Sequence, residues 1–199
     1  MWEKYVENKF AKYLLEKWIL KQNISGNDKV IYLYGLTEGI TIIENIVITL
    51  FIGFISGNLV QTIMFLLSYI PLRSYAGGYH AKTEQLCFVY SILLIIVVEI
   101  FFSYSNQISY TVSLAIVSIS IFFVVIYSPL ENEHKLLSIT EKKIYKNIVI
   151  LLLALESIVL LFCLYYKQNS IYSGIVVAII IEAVLIIVGK IVIGNRRRK

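Results

Sequence analysis

Long apolar runs separated by short polar breaks constrain this chain more than any other feature. Six runs occur, at residues 39–55, 59–72, 86–104, 108–127, 147–166 and 171–193. A helix that crosses a bilayer needs about 20 mainly apolar residues, because the hydrocarbon core is about 30 Å thick. In that medium every backbone N–H and C=O must be satisfied within the protein, which favours helices. The last four runs reach the required length. The first two are shorter, with Ser56, Gly57 and Asn58 between them, and read as two short spans rather than a re-entrant hairpin. Composition agrees: 58% of residues are hydrophobic and 16% charged, whereas a soluble domain carries about a quarter charged residues. The fold class expected is all-α, a polytopic transmembrane helical bundle of about six spans. Residues 1–199 form one membrane domain, with an N-terminal region 1–38, a bundle 39–193 and a basic tail 194–199.

Residues 1–22 carry Trp2, Tyr5, Val6, Phe10, Tyr13, Leu14 and Trp18 at helical spacing, with Lys4, Lys9, Lys12, Lys17 and Lys21 among them. Aromatics on one side and lysines on the other suit an amphipathic helix lying in the interface of the lipid bilayer. The first 38 residues do not read as a cleavable signal peptide. Of the 18 lysines and arginines, all but Lys167 fall before the first span, in the loops 73–85 and 128–146, or from Lys190 onward. That bias predicts a multi-pass protein of the cell membrane with both termini and both longer loops cytoplasmic. Reading 39–72 as a hairpin would leave every later assignment on the same side.

The loop from Arg73 to Cys87 holds one of the two histidines, His80, one of the two cysteines, and the pair Gly77-Gly78. Thiol catalysis needs a thiolate and an imidazole to shuttle its proton. Cys87 stands at the start of the third run, where a helix N-terminus favours the thiolate. Seven residues of unbroken helix would separate His80 and Cys87 by about 10.5 Å of rise. A dyad therefore requires a break, which Gly77-Gly78 permits and Thr83 would follow as an N-cap; pairing across a dimer is the other geometry. On these residues alone, a loop histidine and an ordinary buried cysteine is the competing reading.

Cys163, in mid-run, reads as a small buried hydrophobe, and its setting differs too much from that of Cys87 for a disulfide. Glu44, Glu99, Glu156 and Glu182 interrupt apolar runs, which predicts a polar bundle interior. No His-Glu-x-x-His motif occurs, so neither a metal nor another cofactor is expected, and nothing points to nucleic acid. The intramembrane acids also admit a small transporter, but no matched pair of interrupted half-repeats supports one.

The stretch Arg73 to Cys87, with Gly77-Gly78-x-His80-Ala81 and Cys87 seven residues after His80, resembles the accessory gene regulator B (AgrB) family of Gram-positive quorum-sensing membrane peptidases. Ser128-Pro-Leu-Glu-Asn-Glu-His-Lys135 is similar to that family's Ala-Pro…Asn-Lys-Pro-Leu loop. It departs from it at Ser128, at the intervening Glu133-His134 and in lacking the final Pro. The resemblance implies a cysteine endopeptidase that removes the C-terminal part of a short precursor through a thioester and promotes its cyclisation to a thiolactone or lactone. Cys87 would be the nucleophile and His80 the general base and acid, with Arg73, Gly77 and Gly78 shaping the site. A homodimer and a substrate with an acidic C-terminal tail are also implied; Lys135, Lys142 and Lys143 would face that tail. The alternative is a small membrane peptide exporter without protease chemistry.

Overall fold

The computed structural model describes residues 26–79, 84–130 and 137–196. The expected interfacial helix at 1–22, His80, Thr83, the loop from Glu131 to Lys135 and the last three residues of the basic tail lie outside the described residues. Among the described residues six α-helices follow in order: α1 Gly26–Ile55, α2 Leu59–Ala76, α3 Glu84–Tyr104, α4 Tyr110–Tyr127, α5 Ile139–Tyr165 and α6 Asn169–Arg196. A short 3-10 turn, Ser105–Gln107, joins α3 to α4. The fold is all-α, as the pattern of apolar runs requires.

The chain divides into two compact units, Met1–Ile48 and Thr49–Lys199. In the first, the described residues belong to α1. There Glu44 is exposed, and the Asn45 side chain donates to the Thr41 carbonyl at 2.8 Å. The second unit holds the rest of α1 and helices α2 to α6.

Among the described residues, four segments are long and apolar enough to cross a membrane: Leu86–Tyr104, Tyr110–Tyr127, Ile139–Tyr165 and Asn169–Ile193. They correspond to the four longer runs in the sequence. Gly39–Ile55 is a shorter apolar helix, and α2 contains Pro71 and Arg73. Three ends differ from the apolar pattern for local reasons. The helix α5 starts at Ile139, ahead of its apolar run, because Ser138 and Glu141 form a capping box. The Ser138 N–H donates to the Glu141 carboxylate at 2.8 Å and the Glu141 N–H to Ser138 Oγ at 3.3 Å, so two otherwise orphaned donors are satisfied. At the other end of the chain α6 continues past its apolar run into polar residues. The helix α2 continues past Leu72 to Ala76, where Gly77 stops it.

The core is centred on α6, which packs against α2, α4 and α5 and more lightly against α3. Tyr172 through Ile179 are all buried, so this part of α6 is enclosed on every side. A helix apolar all round belongs in such a position. On one side Ile175, Ile179, Ala183 and Ile186 meet Leu72, Val124, Val149 and Leu153. On the other, Val177 and Ala178 share a cluster with Phe65 of α2 and Val98 and Phe102 of α3. The outward faces are also apolar: Phe54, Leu67, Val97, Ile119 and Leu161 are more than half exposed. Soluble proteins rarely show such continuous exposed apolar surface; lipid is the solvent that accommodates it.

Candidate active site

The end of the bundle that carries Cys87 is built around the turn that terminates α2. The Gly77 N–H donates to the Arg73 carbonyl at 3.1 Å, and Gly77 and Gly78 have φ of 75° and 145°. Both values lie where only glycine is comfortable. Space imposes the same choice. A Cβ on Gly78 would collide with the Arg73 guanidinium, and one on Gly77 with the Leu130 carbonyl oxygen.

Three sets of contacts fix this turn. Arg73 folds back over it, Nη1 donating to the Gly77 carbonyl at 2.8 Å and Nη2 to the Tyr79 carbonyl. Leu130, in the loop after α4, donates its N–H to the Ala76 carbonyl at 2.8 Å and forms a parallel bridge with Gly77. The Tyr79 N–H donates to the Leu185 carbonyl of α6 at 3.1 Å. That last approach needs Gly189: a Cβ there would stand 2.6 Å from a Leu130 methyl and 2.9 Å from the Tyr79 nitrogen. The described parts of the two loop motifs, at Gly77 to Tyr79 and at Leu130, are thus held together at the surface of α6.

Cys87 lies in the first turn of α3, half-buried and free of any disulfide. It opens into a cavity of about 150 Å³ that it shares with Arg73 and Tyr79. Tyr90, Ser91 and Leu94 continue the wall along the same face of α3, as spacings of three, four and seven require. Tyr69 of α2 and Leu185 of α6 close the other side. Ser91 Oγ donates to the Cys87 carbonyl at 3.0 Å, the usual local answer for a helical serine in an apolar setting.

Behind Arg73 lies Glu182, whose side chain is fully buried, with an oxygen 3.9 Å from Arg73 Nη1. Neither Glu182 oxygen has a hydrogen-bond partner among the described residues. Two of the other acids noted in the apolar runs also face inward. Glu156 accepts from Ser68 Oγ at 2.5 Å. Glu99 accepts from Thr62 Oγ1 at 2.6 Å and Asn58 Nδ2 at 3.2 Å. The expected polar interior is present for these three, whereas Glu44 is exposed. A larger cavity, about 330 Å³, opens at the opposite end beside Ser109, Tyr110, Asn169 and Tyr172. Among the described residues its lining includes no charged residue and no cysteine.

Of the residues singled out in the sequence, Cys87, Arg73, Gly77 and Gly78 come together. His80 and Lys135 are outside the described residues. Lys142 is half-buried and Lys143 exposed, both in the first turns of α5. Cys163 is buried in α5. No group of three or more His, Cys, Asp or Glu able to hold a metal occurs among the described residues. Sequence reasoning missed Tyr69, Tyr79, Tyr90, Leu94, Leu185 and Gly189. An isolated glycine within the α6 pattern was the available signal for a close backbone approach; Tyr79 was marked only by its place beside His80.

Fold and site together define a multi-helix membrane protein with a half-buried thiol at one end of its bundle. The chain belongs to the accessory gene regulator B family, whose profile matches residues 7–186. An accessory gene regulator protein B from Staphylococcus aureus is 32% identical over 112 residues, 55% of this chain and 59% of that protein. Another, from strain JH9, is 36% identical over 91 residues, covering 45% and 48%. The chain thus spans about half the length of these relatives. A putative AgrB-like protein of Clostridium perfringens is 25% identical over 201 residues, covering 96% of this chain and 93% of that one. No solved structure matches the chain.

Proposed function

We propose that this protein is a membrane-embedded cysteine endopeptidase that processes a quorum-sensing precursor peptide. What carries the reading is that Cys87 and Tyr79, the residue before His80, line one cavity. The helix α2 ends at Ala76, and the chain turns through Gly77 and Gly78 to reach Tyr79. Membership of the AgrB family supports the peptide-processing role.

The chemistry follows from the groups. The Cys87 thiolate attacks the scissile carbonyl, and the carbon–nitrogen bond breaks as His80 hands a proton to the departing amine. The N-terminal part of the precursor remains as a thioester on Cys87. A cysteine or serine within that peptide then attacks the thioester, closing a thiolactone or lactone ring and releasing the Cys87 thiolate. Arg73 supplies positive charge beside the developing oxyanion. The Lys135, Lys142 and Lys143 side chains steer an acidic C-terminal tail, and this end of the bundle faces the cytoplasm.

Co-expression with a candidate precursor peptide, with mass spectrometry of the products, tests the proposal. Cys87→Ala is expected to abolish cleavage, and Cys163→Ala, buried in mid-helix, to retain most of it. Equal loss in both variants at matched membrane levels would overturn the assignment. His80→Ala is expected to remove cleavage and slow alkylation of Cys87 near neutral pH.

A further inference from the structure

A thiolate that adds to a carbonyl leaves a negative charge on the carbonyl oxygen, and a site out of water must meet that charge with a donor. Arg73 brings charge to the Cys87 cavity, but its two terminal nitrogens already donate to the Gly77 and Tyr79 carbonyls. Ser91 is likewise engaged, by the Cys87 carbonyl. We infer that the Tyr69 hydroxyl is a third catalytic group, donating a hydrogen bond to the oxyanion that forms when Cys87 attacks, an assignment that rests on the peptidase reading.

Position, anchoring and availability single out this tyrosine. Tyr69 and Cys87 line the same cavity from different helices, α2 and α3, so the phenol reaches a carbonyl held on the sulfur from across the space. Tyr90 instead shares the Cys87 face of α3, three residues on, and is 47% exposed, where water weakens any hydrogen bond it gives. The Tyr69 ring is fixed: it stacks on Phe65 with centroids 5.1 Å apart and planes 11° from parallel, and Phe65 is fully buried. A donor held in place before the reaction pays no reorganisation when the charge appears. Its hydroxyl has no hydrogen-bond partner among the described residues, whereas a buried phenol ordinarily finds one. Arg73, one turn further along α2 on the same face, lies within electrostatic reach of that hydroxyl, as do Glu182 and Cys87. The phenol thus stands between the guanidinium and the thiol with its proton uncommitted.

Two reagents separate an oxyanion donor from a structural tyrosine without the natural precursor. With p-nitrophenyl acetate the Cys87 sulfur adds to the carbonyl carbon and the π pair moves to oxygen. The carbonyl then re-forms as p-nitrophenolate leaves, and the acetyl group stays on Cys87. With iodoacetamide the same thiolate displaces iodide at a saturated carbon, and no oxyanion arises. Full-length protein in lipid nanodiscs carries Cys163→Ala, and the rate of the matching Cys87→Ala protein is subtracted. Tyr69→Phe keeps the ring and its stacking but removes the donor. It is expected to slow acetylation at least about tenfold, since losing one oxyanion donor costs a peptidase about 100- to 1,000-fold in kcat. The iodoacetamide rate and Tm should stay within about twofold and about 2 °C of the parent, the size of shift that less than 1 kcal/mol produces. Where a precursor is cleaved, kcat should fall and KM hold, because the bond exists only in the transition state. Unchanged acetylation would overturn the assignment. So would equal loss with both reagents, which makes Tyr69 a support for the thiolate or the fold, or a larger acetylation loss in Tyr90→Phe. None of these results touches the peptidase reading, which stands or falls on loss of precursor cleavage in Cys87→Ala.

Discussion

Both ends of the bundle bury a carboxylate, and they hold it in opposite ways. At the end away from Cys87, Glu99 accepts hydrogen bonds from Thr62 and Asn58 at 2.6 and 3.2 Å. Neutral donors fix both of its oxygens. At the Cys87 end, Glu182 has no hydrogen bond among the described residues and faces Arg73 at 3.9 Å. The difference assigns distinct jobs. Glu182 compensates the guanidinium charge without occupying its fork, so two Arg73 nitrogens remain for the Gly77 and Tyr79 carbonyls. The Glu99 end is a closed polar joint between α2 and α3; the Glu182 end uses a buried charge to shape a turn.

The largest effect that tests this contrast is expected from Arg73→Ala. Removing one partner of a buried pair costs about 3–5 kcal/mol, and here the turn also loses its two donors. Thermal unfolding in detergent should show the loss, with precursor cleavage abolished. Arg73→Lys keeps the charge but not the planar fork, so it should recover stability more than cleavage. Glu99→Gln should cost only about 1 kcal/mol, the value of one hydrogen bond, and leave Cys87 alkylation as it was. Equal destabilisation by Arg73→Ala and Glu99→Gln would erase the distinction between the ends.

A pair of glycines in α6 sharpens the comparison. A Cβ on Gly174 would meet the Gln61 carbonyl at 2.6 Å and the Phe65 nitrogen at 3.0 Å, both backbone atoms of α2. A Cβ on Gly189 would meet the Tyr79 nitrogen and a Leu130 methyl instead. Overpacking of this kind costs about 1–3 kcal/mol, but the structure that gives way differs. Gly174→Ala should separate α2 from α6 and lower Tm. Gly189→Ala should lift the Tyr79 turn and slow Cys87 alkylation with little change in Tm. The reverse pattern would mean that the turn, not the helix pair, sustains the bundle.

The smallest effect belongs to the exposed charges. Reversal of Lys142 and Lys143 to Glu should weaken apparent precursor affinity a few-fold at low salt and much less at high salt, because exposed charges are screened over about 10 Å at 0.1 M. Cleavage titrated against precursor at two salt levels reads this, with a cysteine-accessibility assay confirming that the loop keeps its side. Unchanged cleavage at every level, with the loop's side preserved, would make these lysines orientation signals only.

Much of the helical plan was legible because apolar runs and membrane thickness are local, one-dimensional quantities. The start of α3 near Cys87 and the burial of Cys163 followed from position alone. Hydropathy misplaced helix ends where polar residues extend a helix, as at Lys142 and Lys143 in α5. Ser138 and Glu141 carried the missing signal, at capping-box spacing. The partner of each buried acid was not legible. Glu182 and Arg73 are 109 positions apart, and only the packing of α6 against α2 brings them together. Gly77 and Gly78 announced a turn; that its rigidity comes from Leu130 and Gly189 depends on contacts no local pattern encodes.

The docking of the Tyr79 turn onto α6 has a consequence for the time course of synthesis. Cys87 leaves the ribosome about 100 residues before Gly189, and at roughly 5–20 residues per second that interval is about 5–20 s. Throughout it the nascent chain possesses Cys87 but lacks Leu185, Glu182 and the notch at Gly189. The cavity acquires its last wall only when α6 enters the membrane beside the helices already there. The protein therefore carries a built-in delay: its thiol exists well before the surroundings that enclose it.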